Sequence, residues 1–309
     1  VSTQTGLSRA DLGRALAVVV IWGLNFVVMK LGLRELSPML LGSLRFAAAS
    51  LPLLFFVRRP ALPWRYLLAY GLAQGLGQFG FLFLGLKLGM TAGMASVVMQ
   101  TQAFFTLMLA APLLGERAHR RQWIGIAVAL AGLVLIATAH GEGPGQMTLI
   151  GFILTLSAAF MWASSNIVVR FATRAVPAYD PFGFIVWSSL VPIVPFAVFA
   201  VSMEGPSTVM HQLANLDLGA VLSVLYLAWF ATLLAYTLWT RLLQRHPAGR
   251  VVPFSLLVPV VGLAAAAICF GERPSPAQWL GTAAVLLGLM INQGFGARAL
   301  AFLRDPKRA

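Results

Sequence analysis

Long apolar runs dictate the solvent this chain can fold in. Ten can be drawn, at approximately 12–33, 38–57, 64–86, 91–114, 122–140, 149–171, 181–201, 217–240, 249–270 and 277–297. A helix that crosses the hydrocarbon core of a bilayer needs about 20 consecutive, mostly apolar residues, and each run approaches that length. The same runs argue against strands, because a membrane barrel would show alternating segments of about ten residues. Only 10% of the 309 residues are charged and 59% are hydrophobic, against roughly 25% charged in soluble domains. A water-soluble fold of this size could not hide that much apolar surface. The expected class is an all-α integral membrane protein of ten helices.

The connections are short and polar or rich in Gly and Pro: Arg58-Arg59-Pro60, Gly115-Glu116-Arg117, Gly141-Glu142-Gly143-Pro144 and Glu204-Gly205-Pro206. None can house a soluble domain. The first run has no small-residue cleavage site after it and leads into Lys30, Arg34 and Glu35, so it reads as a span rather than a leader. The net charge of +13 invites a nucleic-acid reading. The basic residues lie between apolar runs rather than along one stripe, which is what membrane orientation demands. With a cytoplasmic N-terminus, only Lys30, Arg34, Lys87 and Arg273 fall outside and Arg45 falls within a span. The other 17 basic residues, Arg298, Arg304, Lys307 and Arg308 of the tail included, fall inside. Both termini are therefore expected on the cytoplasmic face of the plasma (inner) membrane, with no nucleic-acid partner. The lone Cys269 excludes an internal disulfide and a cysteine metal cluster; no metal or cofactor is expected.

An internal repeat organises the runs. Gly115-Glu116-Arg117 returns as Gly271-Glu272-Arg273, 156 residues on, and the same offset pairs Gln122-Trp123 with Gln278-Trp279, Gly125 with Gly281 and Gly132 with Gly288. Trp22 and Asn25 answer to Trp162 and Asn166, one residue out of step. Each half, 1–147 and 148–309, holds five runs. An odd number gives the halves opposite topology, and inverted repeats around a central midplane cavity are the architecture of alternating access. The competing reading is an old duplication that now serves only packing.

Trp22-Gly23-Leu24-Asn25-Phe26, Pro38 with Arg45-Phe46, and the two Gly-Glu-Arg…Gln-Trp-x-Gly segments resemble the drug/metabolite transporter superfamily, and within it the EamA-type exporters. The YddG-like aromatic amino-acid exporters are the nearer resemblance. It spans nearly the whole chain and implies export of amino acids, aromatic ones included, and related metabolites. The chain departs from the Glu-Pro pair common in spans 4 and 9 of that family: Gln102-Ala103 and Val258-Pro259 stand there.

All nine acidic residues and all four histidines lie at run ends or in loops. Proton-driven pumps usually place such a group at depth, so facilitated movement is expected. No catalytic set can be assembled at depth either. Neutral polar groups beside aromatics remain there as the substrate-binding candidates: Trp22, Asn25, Gln74, Gln78, Phe79, Phe83, Met99, Gln102, Trp162, Asn166, Trp229 and Ser255. Amides can bind the charged groups of an amino acid, and aromatic rings can stack on its side chain. For Gln74, Gln78, Gln102 and Asn166 interhelical hydrogen bonding is the competing role; for Tyr226 and Tyr236 it is packing. Arg45 reads as a structural lock between helices, and Lys30 and Lys87 as candidates to line the exit. Pro253, Pro259, Gly75 and Gly77 permit bending or close approach and are the gating candidates. A sugar-phosphate or nucleotide-sugar exchanger of the same fold would need more cations at depth than Arg45. A lipid-handling or structural membrane protein is the alternative from another class. The expected partners are a small-molecule substrate and membrane lipids; a monomer suffices, and nothing in the sequence forbids a dimer.

Overall fold

A computed structural model describes residues 7–116, 119–140, 146–246 and 248–293. Arg117, the Gly141-Glu142-Gly143-Pro144 connection and the tail with Arg298, Arg304, Asp305, Lys307 and Arg308 lie outside the described residues. Every regular element described is helical. We number them α1 (Arg9–Glu35), α2 (Pro38–Ser50), α3 (Trp64–Lys87), α4 (Ala92–Leu114), α5 (Arg120–Thr138), α6 (Leu149–Ala175), α7 (Pro181–Glu204), α8 (Pro206–Ala214), α9 (Leu218–Leu242), α10 (Pro253–Phe270) and α11 (Pro276–Gln293). Among the described residues eight are long and apolar enough to cross a membrane: α1, α3, α4, α5, α6, α7, α9 and α10. Large apolar side chains such as Phe55, Ile268 and Leu218 point outward, as the bilayer permits and water does not.

Local chemistry sets the helix ends. Ser8, Ser37, Thr91, Thr148 and Asp217 each accept a backbone N–H of the first turn that follows, and Asp180 accepts two. These bonds fill donors that a helix start leaves orphaned. α4 and α10 both stop at a left-handed glycine, Gly115 (φ 70°) and Gly271 (φ 65°), a backbone state that a Cβ disfavours.

The structure departs from the sequence-derived boundaries at three places. The second run was expected to 57, yet α2 ends at Ser50 and only a 3-10 turn, Leu51–Leu53, continues it; Pro52 in that turn has no N–H for a helical bond. α7 is interrupted between Ser188 and Ile193, at Pro192. The connection after Glu204 is not a plain loop but contains α8, begun by Pro206 at its first position.

Four helices also change pitch midway. α3 is π-helical over Gly71–Gln78 and α9 over Tyr226–Leu234, while 3-10 turns occupy Met99–Thr101 in α4 and Val252–Leu257 at the start of α10. Irregular turns like these free backbone groups, which at membrane depth must find partners inside the protein.

Packing joins the two halves of the chain throughout. α1 lies against α9 and α10, α6 against α3 and α4, α2 against α7, α4 against α10, and α5 against α11. The α5–α11 contact is the closest. A Cβ on Gly125 would sit 2.5 Å from the Gly288 carbonyl oxygen, and one on Gly132 would sit 2.6 Å from that of Gly281. One partner number rises as the other falls, so these two helices run antiparallel.

Candidate functional site

The cavity is built by the four helices that change pitch together with α1, α2, α6 and α7. It measures about 510 Å³ and is walled by α1, α2, α3, α4, α6, α7, α9 and α10. Its size falls within the usual range for small-molecule sites. Trp22, Asn25, Gln78, Phe79, Met99, Gln102, Trp162, Asn166 and Ser255 all line it, brought together from five helices.

Three of the expected residues lie elsewhere. Phe83 is fully buried against Phe79 in the core. Gln74 sits beside a small second cavity and ties three helices together. Its Nε2 donates to the Tyr236 hydroxyl (2.8 Å), and its Oε1 accepts from Ser165 (2.5 Å). That is the interhelical role weighed against substrate contact. Trp229 is half-exposed on the outside of α9 and donates its indole N–H to the Ala48 carbonyl. The cause is the π-helical stretch. A π turn holds more residues than an α turn, so the seven residues from Trp229 to the cavity residue Tyr236 no longer return to one face. The cavity face of α9 carries Ala231, Tyr236, Trp239 and Thr240 instead. Tyr236, Trp239 and Thr240 recur at three- and four-residue spacing, a signal present in the sequence. Gln100 was also missed; it lines the cavity from the 3-10 turn of α4.

The freed backbone groups are answered by cavity side chains. The Trp22 indole donates to the Ala231 carbonyl within the π stretch of α9 (3.2 Å), and Gln100 Nε2 donates to the Ser255 carbonyl in the 3-10 turn of α10 (3.3 Å). Asn166 Nδ2 donates to Gln102 Oε1 (2.8 Å) and to Thr106 Oγ1 (3.1 Å), joining α6 to α4. Trp22 packs its ring edge-on to Tyr236 at 5.2 Å and lies 5.4 Å from Trp239. The result is an aromatic wall with amides set into it.

Arg45 both bridges helices and lines the cavity. Its Nε and Nη2 donate to Thr232 Oγ1 of α9 (3.2 and 2.9 Å), and its guanidinium lies 3.8 Å from the centre of the Phe79 ring. It is 1% exposed.

The two ends of the bundle differ. At one end Lys30 pairs with Glu272 (2.9 Å), whose carboxylate also accepts the Ala92 and Gly93 amides at the start of α4 (2.9 Å each). Buried Met29, Met90 and Met94 belong to the core at this end. Neither Lys30 nor Lys87 lines the cavity: Lys87 donates to the Leu33 carbonyl. At the other end the lining reaches Pro177, Tyr179 and Pro181 of the α6–α7 connection. There Glu116 pairs with Arg170 (2.6 Å), and both side chains are nearly half-exposed. Of the gating candidates, Gly75 lets Pro192 of α7 approach α3, Gly77 faces Met161, Pro253 lies in the 3-10 turn, and Pro259 opens the α-helical part of α10.

Similarity to known proteins follows the whole architecture. The model of the EamA-like transporter family matches residues 12–138 and 149–293. A probable amino-acid metabolite efflux pump of Escherichia coli K12 is 46% identical over 94% of this chain and 97% of its own length. A protein of the same description from Salmonella typhimurium LT2 is 46% identical over 96% and 99%. A probable terminal-alkyne amino-acid exporter of Streptantibioticus cattleyicolor is 27% identical over 92% and 93%. A solved crystal structure superposes with a TM-score of 0.62 at 20% identity, covering 95% of this chain and 99% of its own, and shares the fold.

Proposed function

The chain belongs to the EamA-like transporter family and is a membrane transporter; from that premise we propose that it exports amino acids, aromatic ones included, and related small metabolites across the plasma membrane by alternating access. The observation that carries this reading is the cavity itself: amides set in an aromatic wall, with one guanidinium and no Asp, Glu or His among the described residues that line it. Such a site suits a small amphiphilic solute, and it offers no carboxylate or imidazole for a proton relay. Movement is therefore facilitated, down the substrate gradient. A sugar phosphate would need several converging cations, and Arg45 alone supplies one.

The alternating element is a pair of inverted five-helix halves, 1–147 and 148–309, giving ten spans with α2 and α11 included. Several features support it. The ends of the two π stretches, Gln78 and Leu234, the ends of the 3-10 turns in α4 and α10, Thr101 and Leu257, and the two left-handed glycines, Gly115 and Gly271, recur at the 156-residue offset. α1 and α6 are both 27 residues long and stand 140 apart; α8 and its flanking turns account for most of the difference between the offsets. The repeat carries the α1–α9 and α1–α10 contacts onto α6–α3 and α6–α4, and pairs α5 with an antiparallel α11. It also carries Lys30–Glu272 onto Arg170–Glu116. Each ion pair thus joins the two halves, and the two pairs lie at opposite ends of the bundle. With the basic connections inside, the Lys30–Glu272 pair closes the outer end, and the cavity faces the cytoplasm through the α6–α7 connection. The Arg170–Glu116 pair is its repeat counterpart at the cytoplasmic end, formed here beside the open cavity.

Purified protein in liposomes should give saturable flux of labelled tryptophan, phenylalanine or threonine and none of a sugar phosphate. Flux of the sugar phosphate without any amino acid would replace this reading with that of an exchanger. Flux of neither would favour the structural class.

A further inference from the structure

Three buried polar atoms at the cavity have no hydrogen-bond partner among the described residues: Arg45 Nη1, Asn25 Oδ1 and Gln78 Oε1. All three residues line the same space, from α2, α1 and α3. Resting on the amino-acid reading above, we propose that these three residues form the headgroup subsite for an α-amino acid, in which Arg45 binds the carboxylate while Asn25 and Gln78 accept the ammonium.

The argument begins with the charge of Arg45. A guanidinium stays protonated in any protein environment, and burying it without a counter-ion is costly. The ordinary remedy is a carboxylate. The described carboxylates in ion pairs are held at helix ends: Glu272 by Lys30, Glu116 by Arg170, and Asp11 by Arg14, Arg245 and His246. Arg45 has instead a neutral hydroxyl, Thr232 Oγ1, and the face of Phe79. These contacts aim the group and stabilise its charge in part, yet leave Nη1 with donors to spare. A purely structural arginine would have its fork filled. This one is held through Nε and Nη2 with Nη1 unspent at a cavity wall, which is the preorganised state expected of a group awaiting an anionic ligand.

The two acceptors complete the match. A carboxylate alone would leave Asn25 Oδ1 and Gln78 Oε1 unpaired. An amine alone would leave Arg45 unpaired and bring a second cation beside it. A zwitterion answers all three atoms, and its side chain can extend along Trp22 and Phe79. One free guanidinium nitrogen suits a monoanion better than a phosphate.

The test is equilibrium binding of phenylalanine and of phenylalaninamide, which lacks the carboxylate, to the detergent-solubilised full chain, together with the Arg45→Gln and Arg45→Lys variants. A charge-assisted hydrogen bond predicts that wild type prefers phenylalanine by about 10- to 100-fold. Arg45→Gln should erase the preference and Arg45→Lys should keep part of it. Equal binding of the two ligands by wild type overturns the subsite while leaving the amino-acid reading intact, and it needs no variant to fold. Binding of neither ligand by wild type removes both.

Discussion

Replacing Glu272 with glutamine should open the outer end of the cavity. The Glu272 carboxylate holds three partners at once: the Lys30 ammonium and the Ala92 and Gly93 amides, from α1 and α4. It is 8% exposed. Removing one partner of a buried pair costs about 3–5 kcal/mol. The lower figure applies here, since Lys30 keeps some contact with solvent and glutamine retains one acceptor. About 3 kcal/mol against the outer-closed state is more than a hundredfold shift in population. The effect can be read with Met99→Cys, which places a thiol at the cavity, in a Cys269→Ala background. Labelling by a membrane-impermeant maleimide from outside should rise more than about tenfold with Glu272→Gln. The counterpart Glu116→Gln breaks a pair that is nearly half-exposed, and such pairs contribute little. It should leave outside labelling near the parent level. Unchanged labelling with Glu272→Gln would show that this pair does not hold the outer end shut.

A second large effect is expected where α5 crosses α11. A Cβ on Gly281 would lie 2.6 Å from the Gly132 carbonyl oxygen and 2.6 Å from Ile136 Cγ1. A backbone carbonyl cannot rotate away as a side chain can, so the helices must separate. Overpacking typically costs about 1–3 kcal/mol, and Gly281→Val should reach the upper part of that range, lowering the thermal unfolding temperature in detergent by several degrees. Gly13→Ala is the control, since nothing lies within 4 Å of a Cβ there. An unchanged unfolding temperature for Gly281→Val would mean that the crossing does not depend on close backbone approach.

Much of this molecule can be read in its sequence because bilayer burial leaves a coarse mark. Runs of about 20 apolar residues locate the spans even where ends shift by a few positions, and Asn25, Gln78, Gln102 and Asn166 stand out because amides are scarce in such runs. What the sequence hides depends on local pitch. Trp229 was expected beside the substrate on the assumption of α-helical rotation, and the π stretch Tyr226–Leu234 turned it outward. Gln100 was passed over because the 3-10 turn at Met99–Thr101 tightens the rotation in the opposite sense. Propensity does not foretell these turns; they persist because partners such as Trp22 and Gln100 satisfy the carbonyls within them. The correspondence of Lys30 with Arg170 was hidden for another reason. The offset of 156 holds only beyond α8, and the first two spans of each half stand at about 140. Position along the chain also says little about burial at a span end. Glu272 is next to a loop, yet it lies among the buried groups of the outer end.

The account rests on a carrier that exposes one cavity to each side in turn. Counterflow tests it most directly: liposomes holding the protein and loaded with unlabelled phenylalanine are diluted into labelled phenylalanine, with and without a protonophore. An alternating, facilitated carrier predicts transient accumulation of label above its equilibrium level, undiminished by the protonophore. No overshoot would contradict the carrier, and an overshoot abolished by the protonophore would contradict transport without a proton.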